Sequence, residues 1–248
     1  YRDYQKPKVY KIYRYSDKYY YLPRYYGLRT MGLPKYTTLK NGTPINLRCD
    51  IEPLPHQVTA LQKLGELLDP SKQLGDCGVL SLPCGYGKTF CAIKSMCRLG
   101  LAGLIIVPTE CLMDQWTEAI KTFVPGAKVG YIQQDHVDYT GMDFVVAMLH
   151  SISLKDYPQT VFDHFGITVF DECHHIGSEV FCQSMLKVRT KFMLGLSATP
   201  ERRDGLSRVF YEFLGPLIHK EKRQGSNVVI IKKLGLSSNS PNYRKLTM

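Results

Sequence analysis

The stretch that decides how this chain folds is a glycine-rich turn of seven residues, Pro83-Cys84-Gly85-Tyr86-Gly87-Lys88-Thr89. An apolar run at 79–82 precedes it, and a segment with helical spacing of its apolar residues follows it. A strand, a turn and a helix in this order predict a loop that binds phosphate groups. Gly85 and Gly87 allow successive backbone N–H groups to turn inward toward an anion. We expect Lys88 to reach the β- and γ-phosphates of a nucleotide and the Thr89 hydroxyl to bind Mg²⁺.

The turn departs in one place from the general phosphate-loop pattern, G-x-x-x-x-G-K-[ST]. That pattern has Gly at position 82, where this chain has Leu82, so only the shorter form G-x-G-K-T is present. Pro83, Cys84 and Tyr86 complete the predicted nucleotide-binding loop. The alternative is a glycine-rich turn in which Lys88 is simply solvated, and this stretch alone leaves both interpretations open.

Positive charge is concentrated at the start of the chain. The 248 residues have a net charge of +10, and residues 1–50 contribute +8 of it, with eleven Lys or Arg against three Asp. Such a segment indicates a polyanionic partner, nucleic acid in the first place and an anionic membrane in the second. The longest apolar run, at 101–107, is far too short to cross a membrane, so no membrane partner is expected.

Tyrosines are also concentrated in this basic segment, which holds eleven of the seventeen. Residues 9–15 alternate in polarity, 16–17 can turn, and 18–22 continue in extended style, which predicts a β-hairpin. The prolines and glycines of residues 23–44 then predict loops. Two interpretations of the tyrosines stay open. Their rings can stack on bases beside cations that pair with phosphates, or they can pack against the main domain with their hydroxyls in water.

From about Leu54 the chain alternates between helical and strand-like segments. Strand-like apolar runs lie at 79–82, 103–107, 128–132, 143–148, 167–171 and 192–197. Continuous apolar strands separated by helices predict an α/β fold, a parallel sheet with helices on both faces. Ligands of such folds bind at the carboxyl ends of the strands. Eight cysteines without a C-x-x-C pair, several of them in apolar runs, predict reduced core thiols in a cytosolic or nuclear protein.

Two adjacent acids, Asp171 and Glu172, follow the apolar run 167–170. We expect Asp171 to hold Mg²⁺ through its water shell, because a hard cation prefers carboxylate oxygen. Glu172 is then placed to orient and deprotonate the attacking water. The alternative is a solvated strand end. Zinc is not expected at Cys173-His174-His175, because three adjacent residues cannot easily bind one ion and no second Cys/His pair has finger spacing.

A third motif, Ser197-Ala198-Thr199, follows the apolar run 193–196. The elements G-x-G-K-T, D-E-C-H and S-A-T, in this order and spacing, resemble the first RecA-like domain of superfamily 2 helicases of the DEXH type, over roughly residues 47–220. Residues 196–205, LSATPERRDG, look like the branch that contains XPB, UvsW, type III restriction subunits and helicases of large cytoplasmic DNA viruses. A transporter ATPase or a nucleotide kinase would share only the phosphate loop.

The resemblance implies roles for further residues. Gln57, after Pro55-His56, resembles the Q motif, whose glutamine bonds the adenine edge as donor and acceptor. Pro108 and Thr109 lie in a segment similar to motif Ia, which touches the nucleic-acid backbone. Trp116 completes that motif, and its helical spacing predicts a core residue. His174 is implied to couple the ATP site to the nucleic-acid face.

Five more residues take part in these implied roles. Ser197 and Thr199 belong with His174 to the coupling group, and Ser151 is a nucleic-acid candidate in the following motif, where Ala147 replaces the usual Thr. Arg202 and Arg203 are candidates for contacts with nucleic acid. XPB proteins have Arg-Glu-Asp where this chain has Arg-Arg-Asp, so a role of that Glu does not carry over.

The resemblance implies an ATP-dependent helicase or translocase that uses ATP and Mg²⁺ and acts on nucleic acid, DNA rather than RNA, in transcription or repair. We expect residues 1–46 to be a basic accessory module, 47–235 the RecA-like domain, and 236–248 the start of a linker to a second RecA-like domain that supplies arginine fingers. The segment alone is therefore expected to hydrolyse ATP poorly. The resemblance implies a location inside the cell. If the protein is viral, the implied location is the host cytoplasm or the virion.

Two alternatives to a helicase stay open. One is a remodelling or restriction subunit that moves along duplex without separating its strands. The other is a nucleic-acid-binding module that has the fold without turnover.

Overall fold

The computed structural model of the chain describes residues 11–174, 179–200 and 207–221. The strands of its central sheet are β3 (Cys77–Ser81), β4 (Gly103–Val107), β5 (Val129–Gln133), β6 (His136–Val137), β7 (Phe144–Met148), β8 (Ile167–Phe170), β9 (Phe192–Ser197) and β10 (Leu217–Lys220), and a hairpin of β1 (Arg14–Tyr15) and β2 (Tyr20–Tyr21) precedes them. Their order across the sheet is β10-β3-β9-β8-β4-β7-β5-β6. Neighbouring strands are parallel except for β5 and β6. All six predicted runs overlap a strand.

Helices cover both faces of the sheet. They are α1 (Arg24–Met31), α2 (Pro55–Leu67), α3 (Lys88–Leu99), α4 (Glu110–Phe123), α5 (Leu149–Leu154), α6 (Gln159–Asp163), α7 (Glu179–Lys187) and α8 (Ser207–Leu214). Side chains alternate along β4, so that Ile105 and Val107 pack in the core under α2, α3 and α4, whereas Leu104 and Ile106 pack in the core under α5 to α8. The predicted parallel sheet with two covered faces is confirmed.

The amino-terminal segment contains both a confirmed and a wrong prediction. The hairpin exists, with Arg14 opposite Tyr21. The loops predicted after Pro23 are wrong over Arg24–Met31, which form helix α1, with Gly32 at its end. Packing of α1 against α8 and of Tyr25 against the core outweighs the low helix propensity of the glycine within it.

An arginine anchors this segment to the main domain. The guanidinium of Arg24 donates to the carbonyl oxygens of Thr190 at 2.9 Å and of Leu74 at 2.6 Å. Burial lowers the pKa of Arg24. Arg29 of the same helix pairs with Glu212 at 2.8 Å. Because Leu74 and Thr190 precede β3 and β9, the anchor lies at the amino-terminal edge of the sheet, opposite the edge where the predicted motifs lie.

Six of the eight cysteines are buried, as predicted; the two exposed ones are Cys84 and Cys111. Burial raises the pKa of Cys77 to about 11 and that of Cys91 to about 12, so these thiols keep their protons. All eight are free thiols. Among the described helices, none is both long and apolar enough to cross a bilayer.

Candidate functional site

The predicted phosphate loop joins β3 to α3 and is shaped by two glycines. Gly85 and Gly87 have φ angles of 82° and 81°, a region that residues with a Cβ rarely adopt. A Cβ on Gly85 would meet nothing within 4 Å, so the space above this glycine is open. Leu82, which replaces a motif glycine, is fully buried in the core. The side chain of Leu82 packs in the core, and the positive φ angles that favour glycine occur at 85 and 87.

Three motifs meet at one edge of the sheet because their strands are neighbours. The phosphate loop follows β3, Ser197 ends β9, and Asp171 follows β8, and these strands lie in the order β3-β9-β8. Parallel strands bring their carboxyl ends to the same edge. Lys88, at the first position of α3, therefore faces Glu172, and its Nζ lies 3.9 Å from Glu172 Oε1. The distance is within ion-pair range but exceeds hydrogen-bond length.

Asp171 is 7% exposed, and both of its carboxylate oxygens accept hydrogen bonds. Oδ1 accepts from the backbone N–H of Glu172 at 2.9 Å, and Oδ2 accepts from the indole Nε1–H of Trp116 at 2.8 Å. Glu172 has a φ of 47°, which costs a residue with a side chain of order 1–3 kcal/mol and is typical of functional sites. The turn after β8 is thus strained at the second of the two acids.

Magnesium fits this group of residues. Thr89 and Asp171 supply hydroxyl and carboxylate oxygens, the ligands that a hard divalent cation prefers. The two hydrogen bonds to the Asp171 carboxylate come from neutral N–H groups, so they orient its charge without cancelling it. A buried carboxylate of this kind is suited to a cation.

The residues predicted to couple the sites are in hydrogen-bond range of one another. His174 Nδ1 lies 3.0 Å from Ser197 Oγ and 3.3 Å from Glu172 Oε2. Ser197 Oγ also accepts from the backbone N–H of Thr199 at 3.2 Å. Burial raises the pKa of the intervening Cys173 thiol, which stays protonated. The arrangement links the acid of β8 to the end of β9, and its role in coupling stays a prediction.

Gln57 is bonded within the protein, and its predicted contact with adenine stays a prediction. Its Oε1 accepts from the backbone N–H of Leu54 at 3.0 Å, and its Nε2 donates to the carbonyl oxygen of Tyr86 at 3.2 Å. The side chain is thus bonded to the start of α2 and to the phosphate loop, where a Cβ on Gly87 would lie 2.3 Å from Nε2. These two bonds use one N–H and one lone pair of the amide, which leaves a second donor and a second lone pair for an adenine contact. The ring of His56 lies beside that of Tyr86, with centroids 4.9 Å apart.

The nucleic-acid candidates divide into three groups. Pro108 is half-buried, and exposed Thr109 caps α4 by accepting from Leu112 N–H at 3.3 Å. Ser151 is 6% exposed, and its Oγ accepts from the backbone N–H of Gln134 at 2.9 Å, so its hydroxyl is buried rather than presented to a partner. Arg202 and Arg203 lie outside the described residues.

Sequence reasoning missed the polar half of Trp116. The prediction that it is a core residue is confirmed, with 1% of its surface exposed. The additional hydrogen bond to Asp171 joins residues 55 positions apart. A signal for it existed, because a buried tryptophan usually finds an acceptor for its N–H. The pattern alone could not say which acceptor.

Comparison with known proteins adds the family. The family described as type III restriction enzyme, res subunit, matches residues 50–202. A candidate ATP-dependent RNA helicase of Acanthamoeba polyphaga mimivirus is 32% identical over 245 residues, 98% of this chain and 46% of that protein. An XPB-type DNA 3′-5′ translocase of Sulfurisphaera tokodaii is 31% identical over 147 residues, 58% of this chain and 32% of that protein. The chain spans about half the length of its viral relatives, with shares of 46%, 52% and 44%.

Two solved structures share the fold. The SWI2/SNF2 ATPase core of Sulfolobus solfataricus, in complex with dsDNA, superposes with a TM-score of 0.56 and 18% identity, over 71% of this chain and 38% of that one. The UvsW helicase of bacteriophage T4 superposes with a TM-score of 0.51 and 20% identity, over 73% of this chain and 63% of that one. The predicted RecA-like α/β class is confirmed.

Proposed function

Since the chain belongs to the family of type III restriction res subunits, and with it to the superfamily 2 helicases, we propose that it forms the first motor domain of an ATP-dependent nucleic-acid helicase or translocase. One observation carries the proposal. Lys88 of the phosphate loop faces Glu172 at 3.9 Å, beside the open space above Gly85. A triphosphate in that space would lie beside a cation that can hold it and a carboxylate that can activate water.

Each residue at this edge has a role in the proposed hydrolysis. The N–H groups around Gly85 and the ammonium of Lys88 bind the β- and γ-phosphates. Thr89 and Asp171 hold Mg²⁺, which when bound neutralises charge that develops on the phosphate oxygens. Glu172 orients a water molecule and accepts its proton. In this strained backbone conformation its carboxylate lies 3.9 Å from the lysine.

A relay from the acid to β9 would report nucleic-acid binding to this site. His174 is within hydrogen-bond range of both Glu172 and Ser197, and Ser197 is bonded to Thr199. Movement of the loop after β9 would change the bond to Ser197 and so the position of the imidazole beside the base. Thr109, exposed at the start of α4, together with Pro108 and the arginines at 202 and 203, would contact the nucleic-acid backbone.

DNA is the proposed substrate. One relative is named as a candidate RNA helicase and another as a DNA translocase. The structure of the SWI2/SNF2 core was solved in complex with dsDNA. The test is an ATPase assay with DNA and RNA of the same sequence, each single-stranded and duplex, at equal nucleotide concentrations. We expect DNA to stimulate ATP hydrolysis more than RNA does. Stimulation by RNA alone would reverse this choice, and stimulation by duplex without unwinding would favour a translocase.

The amino-terminal segment is proposed as a second nucleic-acid contact. Tyr15, Tyr19 and Tyr20 are 65%, 65% and 74% exposed, so they do not pack against the main domain. Lys11 Nζ lies 5.5 Å from the ring centre of Tyr15, which places a cation beside a ring that can stack on a base. In contrast, Arg24 and Arg29 are bonded within the protein. The hairpin, rather than helix α1, is therefore the surface for this contact.

We further propose that the complete protein has a second RecA-like domain, because motors of this family close their ATP cleft with one. The chain would then divide as 1–46, 47–235 and 236–248, and would act inside a cell or, for a viral source, in host cytoplasm or virion. The test is ATP hydrolysis by the full-length protein with and without DNA. We expect DNA to stimulate the hydrolysis and Lys88→Ala to abolish it. No hydrolysis by the wild type would refute the proposed function.

A further inference from the structure

The chain has one tryptophan, and it contacts the acid that the proposed function assigns to magnesium. Trp116 lies on the buried face of α4 and is 1% exposed. Its indole N–H donates to Asp171 Oδ2 at 2.8 Å, across 55 positions of sequence. The remaining oxygen, Oδ1, is bonded to the backbone N–H of Glu172. With a donor on each oxygen, rotation of the carboxylate about its Cβ–Cγ bond is restricted.

An indole is chemically suited to hold a metal-binding carboxylate. It is a donor only, so it cannot take a proton from the acid or compete with it for a cation. It is also neutral at every working pH, in contrast to Lys, Arg or protonated His, each of which would oppose a divalent cation nearby. The bond therefore fixes the direction of the carboxylate and leaves its negative charge available to the ion.

The helix that carries the indole is itself rigidly placed. Thr109 caps its start, and Met113 and Ile120, a turn before and after Trp116, are buried in the same core. Side chains in such a core occupy fixed rotamers. The indole ring thus cannot turn away from Asp171 without displacing its neighbours, and the acid is held by the body of the domain rather than by its own loop.

From this geometry we infer that Trp116 is a positioning residue, which sets the affinity of the site for the divalent ion by orienting Asp171. The inference rests on the proposed function, since the ion is the one bound with the nucleotide. Partners in the outer sphere of metal ligands typically change metal affinity 10–100-fold when they are removed. The expected loss here is about 10-fold, because the second donor to Asp171 remains.

The test uses Trp116→Phe in the full-length protein, with Ile120→Val as a matched control that trims the same buried face without touching Asp171. Electron paramagnetic resonance measures binding of Mn²⁺ in the presence of ADP, and calorimetry measures ADP binding with the metal chelated. Trp116→Phe should weaken Mn²⁺ binding about 10-fold, and raise the Mg²⁺ concentration for half-maximal ATP turnover by a similar factor. Metal-free ADP binding should stay within about twofold of the wild type, and Ile120→Val should change none of the three values.

A second variant separates the hydrogen bond from the packing. Replacement of Trp116 by 3-benzothienylalanine keeps the shape of the ring and substitutes sulfur for the N–H. This variant should show the same loss of Mn²⁺ affinity as Trp116→Phe, with a smaller fall in thermal midpoint, because its ring still fills the core. It also decides the matter if the phenylalanine variant does not fold. Wild-type Mn²⁺ affinity in the benzothienyl variant would overturn the inference.

The wild-type protein distinguishes a failure of the inference from a failure of the function. Because Trp116 is the single tryptophan of these 248 residues, the part of the emission that Trp116→Phe removes from the full-length protein reports on this site. Bound Mn²⁺ should quench that emission, and Asp171→Asn should abolish the quenching. No ATP hydrolysis and no Mn²⁺ binding in the wild type would refute the function and the inference together. Normal hydrolysis with unchanged Mn²⁺ affinity in both Trp116 variants would refute the inference alone.

Discussion

The two edges of the sheet use buried or half-buried cations in opposite ways. At the amino-terminal edge, Arg24 has its guanidinium bonded to the carbonyl oxygens of Thr190 and Leu74. At the carboxyl edge, Lys88 faces Glu172 at 3.9 Å, beyond hydrogen-bond length and beside open space. Its side chain is only 11% exposed, so solvation does not explain its position. A cation bonded to carbonyls ties segments together, whereas a cation that faces a gap can bind a ligand.

The largest effect is expected at the carboxyl edge. Glu172→Gln in the full-length protein should lower ATP turnover by roughly 10²–10⁴-fold, because the amide cannot accept a proton from water. Nucleotide binding should remain, since the amide has nearly the same shape. The measurement is steady-state phosphate release with saturating DNA, beside ADP binding by calorimetry. Turnover like that of the wild type would remove the assignment of Glu172 as the base.

Substitutions at the amino-terminal edge should change the stability of the protein rather than its ATP turnover. Arg24→Ala leaves two partly buried carbonyl oxygens without their donor and should lower the free energy of unfolding by about 2 kcal/mol. Arg29→Ala is the matched control, because its pair with Glu212 is half-exposed and should contribute only about 0–1 kcal/mol. Urea denaturation gives both values, and ATP turnover per folded molecule should not change. A loss of turnover in Arg24→Ala, with full stability, would contradict the division between the edges.

The hairpin sharpens the comparison, because it belongs to the amino-terminal segment yet is proposed to bind. Tyr15→Ala with Tyr20→Ala should weaken single-stranded DNA binding by about 1–3 kcal/mol for each lost stack, and the urea midpoint should not move. Deletion of residues 1–50 should in addition flatten the slope of log affinity against log salt, because their lysines and arginines no longer release counterions. An unchanged slope and affinity would leave these tyrosines without a binding role.

The smallest effect is expected at Gln57, where bonding within the protein meets the ligand site. Gln57→Ala removes the link between Leu54 and the phosphate loop, worth about 1 kcal/mol, or roughly fivefold in nucleotide affinity. If the amide acts by holding the loop, affinities for ATP and GTP should fall together. Fluorescence titration with labelled ATP and GTP measures this. A fall for ATP alone would instead support the predicted adenine contact.

Local patterns in the sequence were sufficient for the strands and the motifs. The six apolar runs became strands, and the loop at 83–89 and the acids at 171–172 follow strands as predicted, because hydrophobic periodicity and glycine-rich turns act over a few residues. Their convergence also followed, since parallel strands bring their ends to one edge. Helix α1 was not predicted, because the proline before it and the glycines in and after it predict loops. Its packing against α8, which is distant in sequence, stabilises the helix.

The sequence by itself therefore determined the fold class, the family resemblance and the residues at the phosphate and acid motifs. Tertiary structure alone decided which partners distant residues find: Trp116 on Asp171, Arg24 on the carbonyls of Thr190 and Leu74, and Gln57 on the phosphate loop. The physical reason is that a hydrogen bond acts over about 3 Å. Which donor reaches which acceptor across 55 or 166 residues depends on how the whole chain packs.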